Sequence, residues 1–349
     1  MTDSPALDPP PSATVILSLR NVGASADQLA ERLRRLSRVE GVDVLVVDDG
    51  STDGSADRLG ERIGEADGIA YVRHSDNAGV AARRNEALAR ATGEFIWFVD
   101  HDDDWTESGL AALRGHAEGV DLVVGRADFQ WGQDAHERRR IDGAEVGAPQ
   151  DIDAPAAAVL LLDGTIHGFL WSKLFRRTSL GVDPFPLIVS QSDIVGVAGA
   201  IARSRRARLI PETVYTYIRL PGSITRKRKP DLRALERAHD DVLALLNDAA
   251  TPSLRDLFTA RFLCLAAVKT AVRWNADRAA IDEALLLARR HARGLSIPSI
   301  ARRSLGLAAA VTLLRTVPAL LPVALRSALA VLDLGRRIRR PSHREEPDA

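Results

Sequence analysis

The sequence has one cysteine, Cys264, among its 349 residues. A single thiol makes no internal disulfide and no cysteine-based metal cage, so the fold owes nothing to an oxidising compartment. A cytoplasmic location follows. Lysine is scarce too, at four of the 47 basic residues, which reflects a high-GC coding bias and weakens any argument from arginine alone. No uncharged apolar run approaches the roughly 20 residues that a spanning helix needs. The first twelve residues hold four prolines and no secretory apolar core, and read as a flexible tail, as do residues 341–349. Apolar residues make up 46% and charged residues 27%, a globular balance that excludes collagenous, mucin-like and disulfide-scaffold classes.

The net charge of zero conceals an asymmetry. Residues 1–125 carry 23 acidic and 12 basic side chains, which leaves 24 and 35 for residues 126–349. An acidic first part argues against a nucleic-acid face there unless a cation sits on it. The basic remainder suits phosphate or an anionic membrane surface.

In residues 1–125 short apolar runs alternate with amphipathic stretches. Thr14 to Leu19, Val42 to Val47, Ile69 to Val72, Phe95 to Val99 and Leu122 to Val124 read as buried strands. Helical spacing recurs in Leu29, Leu33 and Leu36, with Ser25 as the expected N-cap, in Leu59 and Ile63, and from Val80 to Ala91. This βαβ succession predicts a mostly parallel sheet with helices on both faces and ligands beyond the carboxyl ends of its strands. Residues 126–160 read as an irregular excursion with a weak helix near Ala154 to Leu162. Arg208 to Ile218 reads as a strand with Tyr215 and Tyr217 on one face. Beyond Pro230 long helical periods predict an α-helical region, 226–340.

Two acidic clusters close predicted strands: Asp48-Asp49-Gly50-Ser51-Thr52-Asp53, and Asp100-His101-Asp102-Asp103-Asp104. Four Asp within five positions repel one another unless a cation or hydrogen-bond donors offset them. Oxygen ligands without Cys favour Mg²⁺ or Mn²⁺, ions that take one or two carboxylates together with substrate phosphates.

These residues resemble the inverting glycosyltransferases of family 2, which have the GT-A fold. Val46 to Ser55 is similar to the family's first acidic motif, Asn77 to Asn85 to its Asn-Gly-Gly-Leu-Ser-Ala-Ala-Arg-Asn segment, and Asp100-His101-Asp102 to its Asp-x-Asp. Trp171-Ser172-Lys173-Leu174-Phe175 and Tyr215 to Ser223 resemble later motifs, so the likeness covers residues 13–225. It implies a GT-A domain there, with a nucleotide-binding half (13–125) and an acceptor half (126–225). It further implies a nucleoside-diphosphate sugar as donor and a glycan or lipid-linked acceptor in cell-envelope polysaccharide synthesis. Asp49 is then expected at the nucleobase edge with Asp48 in support, Arg20 and Arg84 at the donor, and Asp100 by the ribose. Asp102, with Asp100, is expected to hold the metal. Asp193 is the expected catalytic base, and Trp171, Lys173, Tyr215 and Ser223 are expected on the acceptor side.

The sequence also departs from the family. Ser192 stands where an acid usually precedes the base, Ser18-Leu19-Arg20-Asn21 replaces the usual strand end with its Tyr, and Arg83 replaces an Ala. An extra Asp follows Asp-x-Asp, which leaves Asp103 and Asp104 either as ligands or as solvated residues. The loss of an acid at Ser192 keeps a non-catalytic nucleotide- or glycan-binding relative in view. A phosphorelay receiver accounts for Asp48, Asp49 and Asp100 but leaves the strand at Thr14 and the Asn77 segment unexplained. A haloacid-type phosphatase wants Thr where Asp104 stands. Arg226 to Lys229 form a cationic run that serves as a loop over the diphosphate or as a linker. In 304–340, Arg315, Arg326 and Arg337 recur every 11 residues, a pattern suited to a peripheral helix on an anionic inner membrane face. Pro318 and Pro322 should break it.

Overall fold

A computed structural model describes residues 12–64, 68–131, 138–219 and 231–338. Contacts divide the chain into two units, one of Met1–Ser223 with Arg237–Leu254 and the other of Ile224–Glu236 with Arg255–Ala349.

The first unit is built on one sheet. Its strands are β1 (Ala13–Leu19), β2 (Val42–Asp48), β3 (Ile69–Arg73), β4 (Phe95–Val99), β5 (Asp104–Trp105), β6 (Leu122–Trp131), β7 (Arg138–Asp142), β8 (Gln150–Asp153), β9 (Lys173–Arg176) and β10 (Arg206–Arg219). The order along the sheet is β3-β2-β1-β4-β9-β6-β10-β5, with β7 on β6 and β8 on β10. The first four strands are parallel, and β9 runs antiparallel to both β4 and β6. Helices α1 (Ala26–Ser37), α2 (Ser55–Ile63), α3 (Val80–Arg90), α4 (Glu107–Gly115), α5 (Ala154–Asp163), α6 (Arg177–Leu180) and α7 (Ser192–Arg203) complete the unit.

Burial on both faces explains why the central strands read as unbroken apolar runs rather than alternating ones. Every residue of Phe95-Ile96-Trp97-Phe98-Val99 is buried, and each such side chain contributes on the order of 2 kcal/mol by leaving water. The register then sets the site. Leu19 pairs with Asp48, Asp48 with Arg73, and Leu17 with Val99, so the segments after β1, β2 and β4 emerge side by side at one edge.

Two local expectations are corrected. Ser25 makes no side-chain cap; it lies in a 3-10 turn, and its hydroxyl donates to the Val22 carbonyl at 2.6 Å. Residues 126–160 are not irregular throughout: β6 continues to Trp131, β7 and β8 follow, and Asp153 caps α5 by accepting from the Ala156 amide. Alternation failed as a signal there because the Arg-rich β7 lies largely exposed.

Beyond the sheet the chain is helical: α8 (Leu232–Leu245) begins in the second unit and continues in the first, and α9 (Pro252–Phe258) begins in the first and runs through a π-helical stretch, Thr259–Leu265, into α10 (Ala266–Arg273) of the second. Then come α11 (Arg278–Ala292), α12 (Ile297–Ala301), α13 (Leu305–Thr316) and α14 (Leu320–Ile338). Cys264 lies in the core of the second unit, and burial pushes the thiol up to about 12. The chain leaves helix at Val317, ahead of Pro318. Among the described residues no helix is long and apolar enough to cross a membrane. Arg315 departs from the expected basic face: its guanidinium folds onto the carbonyls of Ala292, Arg293 and Leu295 and closes the end of α11.

Candidate active site

The first acidic motif forms a loop stitched to the end of β1. The Asn21 amide donates to the Ser51 hydroxyl at 2.8 Å, the Thr52 amide to the Asn21 side chain at 2.8 Å, and the Gly23 amide to Asp53 at 3.0 Å. Gly50 has φ +70°, and a Cβ there would sit 2.7 Å from the Asp76 carbonyl oxygen, so no other residue fits the turn without moving the next loop.

Asp48 and Asp49 do not reach into open space. Asp48 is fully buried and accepts from the Ser51 hydroxyl and amide. Asp49 is 6% exposed and accepts from the Ala78 amide (2.8 Å), the Gly79 amide (2.9 Å) and Arg83 Nε (2.8 Å). Asp49, expected at the nucleobase edge, is thus held by three donors of its own chain. Oδ1 accepts from Ala78 and from Arg83, the residue that departs from the family pattern, and Oδ2 accepts from Gly79. Arg20 is exposed at the end of β1, with Nε 3.4 Å from the Gly50 carbonyl.

The second motif is pinned on two sides. From α1, Arg32 donates to the carbonyls of Asp103 (3.0 Å) and Trp105 (3.1 Å) and lies 3.8 Å over the Trp105 ring. From β10, the Tyr215 hydroxyl accepts from the Asp100 amide (3.1 Å) and donates to Asp103 (2.8 Å), and the Ile218 amide donates to the same carboxylate (2.9 Å). Asp103 is therefore not a solvated residue: it is 2% exposed and ties the loop to the sheet. Burial, with the charges of Asp100 and Asp102 beside it, pushes its carboxyl up to about 8 against the pull of those two donors. Asp102 remains exposed.

Arg84 joins the two halves of the site. Rooted in α3 and 6% exposed, it donates to Asp100 Oδ1 at 3.0 Å and to Asp193 Oδ1 at 2.7 Å. Asp193 stands in the first turn of α7, where the helix end favours a negative charge. Ser192, in place of the usual acid, is buried and lies 3.3 Å from that same Oδ1. Close packing raises the Asp193 carboxyl from its ordinary value, Arg84 lowers it, and the Asp100 charge adds to the rise; the net direction is upward. A third of the side chain still meets solvent. The segment before α7 is held by Asn85, whose amide grips the Phe185 backbone through a donor and an acceptor at 2.8 and 3.1 Å.

Three residues expected at the acceptor are buried instead. Trp171, Lys173 and Tyr215 are 4%, 0% and 2% exposed. Lys173 Nζ donates to Asp142 Oδ2 at 2.7 Å, to the Phe169 carbonyl at 2.8 Å and to the Ser172 hydroxyl at 3.0 Å. Trp171 stacks between Phe169 and Tyr215, with centroids 4.6 and 4.7 Å away. Ser223 and Arg226 to Lys229 lie outside the described residues.

Among the described residues no three His, Cys, Asp or Glu side chains gather as a cation cage. The exposed Asp102, two residues from the Arg84-bound Asp100, still fits an ion that takes one or two carboxylates and completes its shell with diphosphate oxygens.

The sequence model of the family described as Glycosyl transferase family 2 matches residues 14–179. The chain carries a family 2 glycosyltransferase domain. Among its relatives, the putative glycosyltransferase EpsH of Bacillus subtilis is 30% identical over 174 residues, 49% of this chain and 48% of EpsH. The succinoglycan biosynthesis protein ExoU of Rhizobium meliloti is 26% identical over 255 residues, 67% of this chain and 70% of ExoU. The chain thus spans about half of the first relative's length. Among solved structures, S. aureus TarS in complex with UDP-GlcNAc superposes with a TM-score of 0.67 at 16% identity, covering 93% of this chain and 92% of that one. The mannosyltransferase PcManGT of Pyrobaculum calidifontis, in complex with GDP-Man and Mn²⁺, gives 0.50 at 20% identity, covering 94% and 88%. The fold of the family 2 domain is GT-A, followed by a helical C-terminal region.

Proposed function

We propose that this chain is an inverting glycosyltransferase that moves a sugar from a nucleoside diphosphate to a hydroxyl of a cell-envelope glycan or its lipid-linked precursor. The observation that carries the proposal is Arg84, which places Asp100 of the Asp-x-Asp loop and Asp193 on one guanidinium. A donor-side and an acceptor-side carboxylate are then two hydrogen bonds apart at the carboxyl edge of a parallel sheet, where α/β folds bind ligands. Donor complexes of TarS and PcManGT support a nucleotide-sugar, and the names of EpsH and ExoU support glycan assembly.

Within this proposal Asp193 is the base. Arg84 and Ser192 both address Oδ1, which leaves Oδ2 for the acceptor hydroxyl. Its raised affinity for a proton makes it a stronger base than an ordinary carboxylate. The proton passes to Oδ2, the acceptor oxygen bonds to the anomeric carbon, and the bond to the diphosphate breaks on the opposite face. Arg84 stays cationic and orients the base. Arg20 is the exposed cation at the donor edge. Asp48 and Asp49 act by building the loop. Mg²⁺ or Mn²⁺ held by Asp102, with Asp100, would neutralise charge developing on the leaving diphosphate.

The test is nucleotide binding with and without metal, measured by thermal shift and calorimetry on the wild type, Asp102→Ala and Asp193→Asn. Binding raises the melting temperature by mass action. The proposal expects metal-dependent stabilisation by one nucleoside diphosphate, lost in Asp102→Ala and kept in Asp193→Asn. No nucleotide effect under either metal would overturn it.

A further inference from the structure

Four aromatic rings form a near-parallel ladder at the side of the Asp100–Arg84–Asp193 cluster. Tyr215 stacks on Trp171 at 9°, Trp171 on Phe169 at 11°, and Phe169 on His167 at 12°, the last pair 5.6 Å apart. The inner end is tied to the site by the Tyr215 hydroxyl, which bonds the Asp100 amide and Asp103. The outer end meets the site by a different route. A Cβ on Gly168 would lie 2.3 Å from Ile194 Cβ, so the His167–Phe169 backbone is pressed against the residue that follows Asp193. Exposure rises along the ladder, from the buried Tyr215 and Trp171 to the partly buried Phe169 and a half-exposed His167 side chain.

The segment is also clamped from below. The His167 amide donates to Asp142 Oδ1 at 2.7 Å, and the Phe169 carbonyl accepts from Lys173 Nζ at 2.8 Å. Asp142 and Lys173 form an ion pair that no solvent reaches. An exposed ring is thus backed by three more rings and fixed in its backbone, with the adjacent Gly168 packed on Ile194 of the base's helix.

We propose that the outer face of His167, backed by Phe169 and Trp171, is a stacking platform for a sugar ring of the acceptor. A pyranose presents an apolar C–H face, which packs on the electron-rich face of an aromatic ring. The ring must be held in advance for the contact to gain affinity rather than lose it to ordering, and this one is. The platform rests on the glycosyltransferase proposal above, because it needs the acceptor beside Asp193. Asp142 and Lys173 are its positioning residues.

The experiment titrates methyl glycosides of glucose, galactose, mannose and N-acetylglucosamine into the full chain with a saturating nucleoside diphosphate and Mn²⁺. Saturation-transfer NMR reads contact, and upfield ring-current shifts of the sugar C–H protons read stacking without any variant. The wild type should bind at least one glycoside with those shifts. His167→Ala should weaken it by roughly three- to tenfold, the range for one stacked ring contact, and His167→Phe should keep the wild-type affinity. If His167 matters only as a polar neighbour of Asp142, 3.6 Å from its Nδ1, Phe will fail as Ala does, and the platform is overturned. Nucleotide binding with no glycoside contact overturns it as well. Failure to bind nucleotide at all removes the glycosyltransferase proposal instead, and the platform with it.

Discussion

Lys173→Met removes the charge that neutralises Asp142 while keeping most of the side-chain volume. Burial alone would push the Asp142 carboxyl up; Lys173 at 2.7 Å, with hydrogen bonds from its neighbours, outweighs burial and holds it well below the usual carboxylate range. Breaking a buried pair from one side costs about 3–5 kcal/mol, because the other charge is left alone. Asp142 keeps the Gly143 amide, the His167 amide and the Ser172 hydroxyl, so the lower end, about 3 kcal/mol, is expected. For a unit of this size that lowers the melting temperature by about 6–12 °C. Urea titration of Lys173→Met, Asp142→Asn and the double variant measures it, with an expected coupling of at least about 2 kcal/mol. The pH dependence has a definite sign. In the wild type the Asp142 contribution is complete above the unfolded value near 4 and is lost only as pH falls below it. In Lys173→Met burial takes over and the folded value rises, so acidification from pH 7 to pH 4 should narrow the gap between variant and wild type. A loss under about 1 kcal/mol, or single effects that simply add, would refute the argument that the pair is held by mutual charge.

Asp193→Asn should lower kcat by about 10² to 10⁴ with donor affinity within a few-fold, and a variant retaining a tenth of the wild-type rate would remove Asp193 as the base. The acid limb of kcat/KM should lie above the ordinary carboxylate range, with activity lost as pH falls through it, since the Asp193 value is raised. Gly50→Ala should destabilise the first unit by about 1–3 kcal/mol in urea and weaken nucleotide binding, since φ +70° and the Asp76 carbonyl at 2.7 Å both oppose a Cβ; an unchanged midpoint would mean the loop adapts. Tyr215→Phe strips a hydroxyl from the Asp100 amide and from Asp103, at about 1–3 kcal/mol of stability, and should loosen metal-dependent nucleotide binding with kcat/KM falling in step. Equal nucleotide affinity in that variant would separate the Asp-x-Asp loop from β10.

The parallel half of the sheet was legible because burial on both faces writes itself as apolar runs, and the order of motifs placed Asp48, Asp100 and Asp193 at strand or helix ends, where the structure has them. The residues that were illegible are those whose partners are distant in sequence. Asp103 is separated from Tyr215 by 112 positions and Arg84 from Asp193 by 109. Asp142 is 31 from Lys173 and sits in a stretch without period. Arg32 carried no signal at all, since one of the four basic residues between Glu31 and Glu40 looks like any solvated helix face.

The departures from the family pattern were the better signal, and Arg83 shows why. A motif match assigns Asp49 to the ligand because the residue type is right, yet what a carboxylate can offer a ligand also depends on which of its acceptor sites the chain already fills. Here Arg83 replaces an Ala, reaches Asp49 Nε to Oδ1 at 2.8 Å, and at 8% side-chain exposure on both partners makes the pair a buried one. Its Nη2 also holds the Asp76 carbonyl at 2.9 Å, the same carbonyl that forbids a Cβ on Gly50. Arg83 thus adds a cross-brace to a loop that the Ala78 and Gly79 amides already hold on Asp49. Asp103 is a second case, an additional acid that is held by a Tyr and an amide of β10. Family motifs locate the reaction edge; the residues around it decide what each carboxylate pairs with, and in this chain Arg84 takes one oxygen each of Asp100 and Asp193 while Asp102 stays exposed.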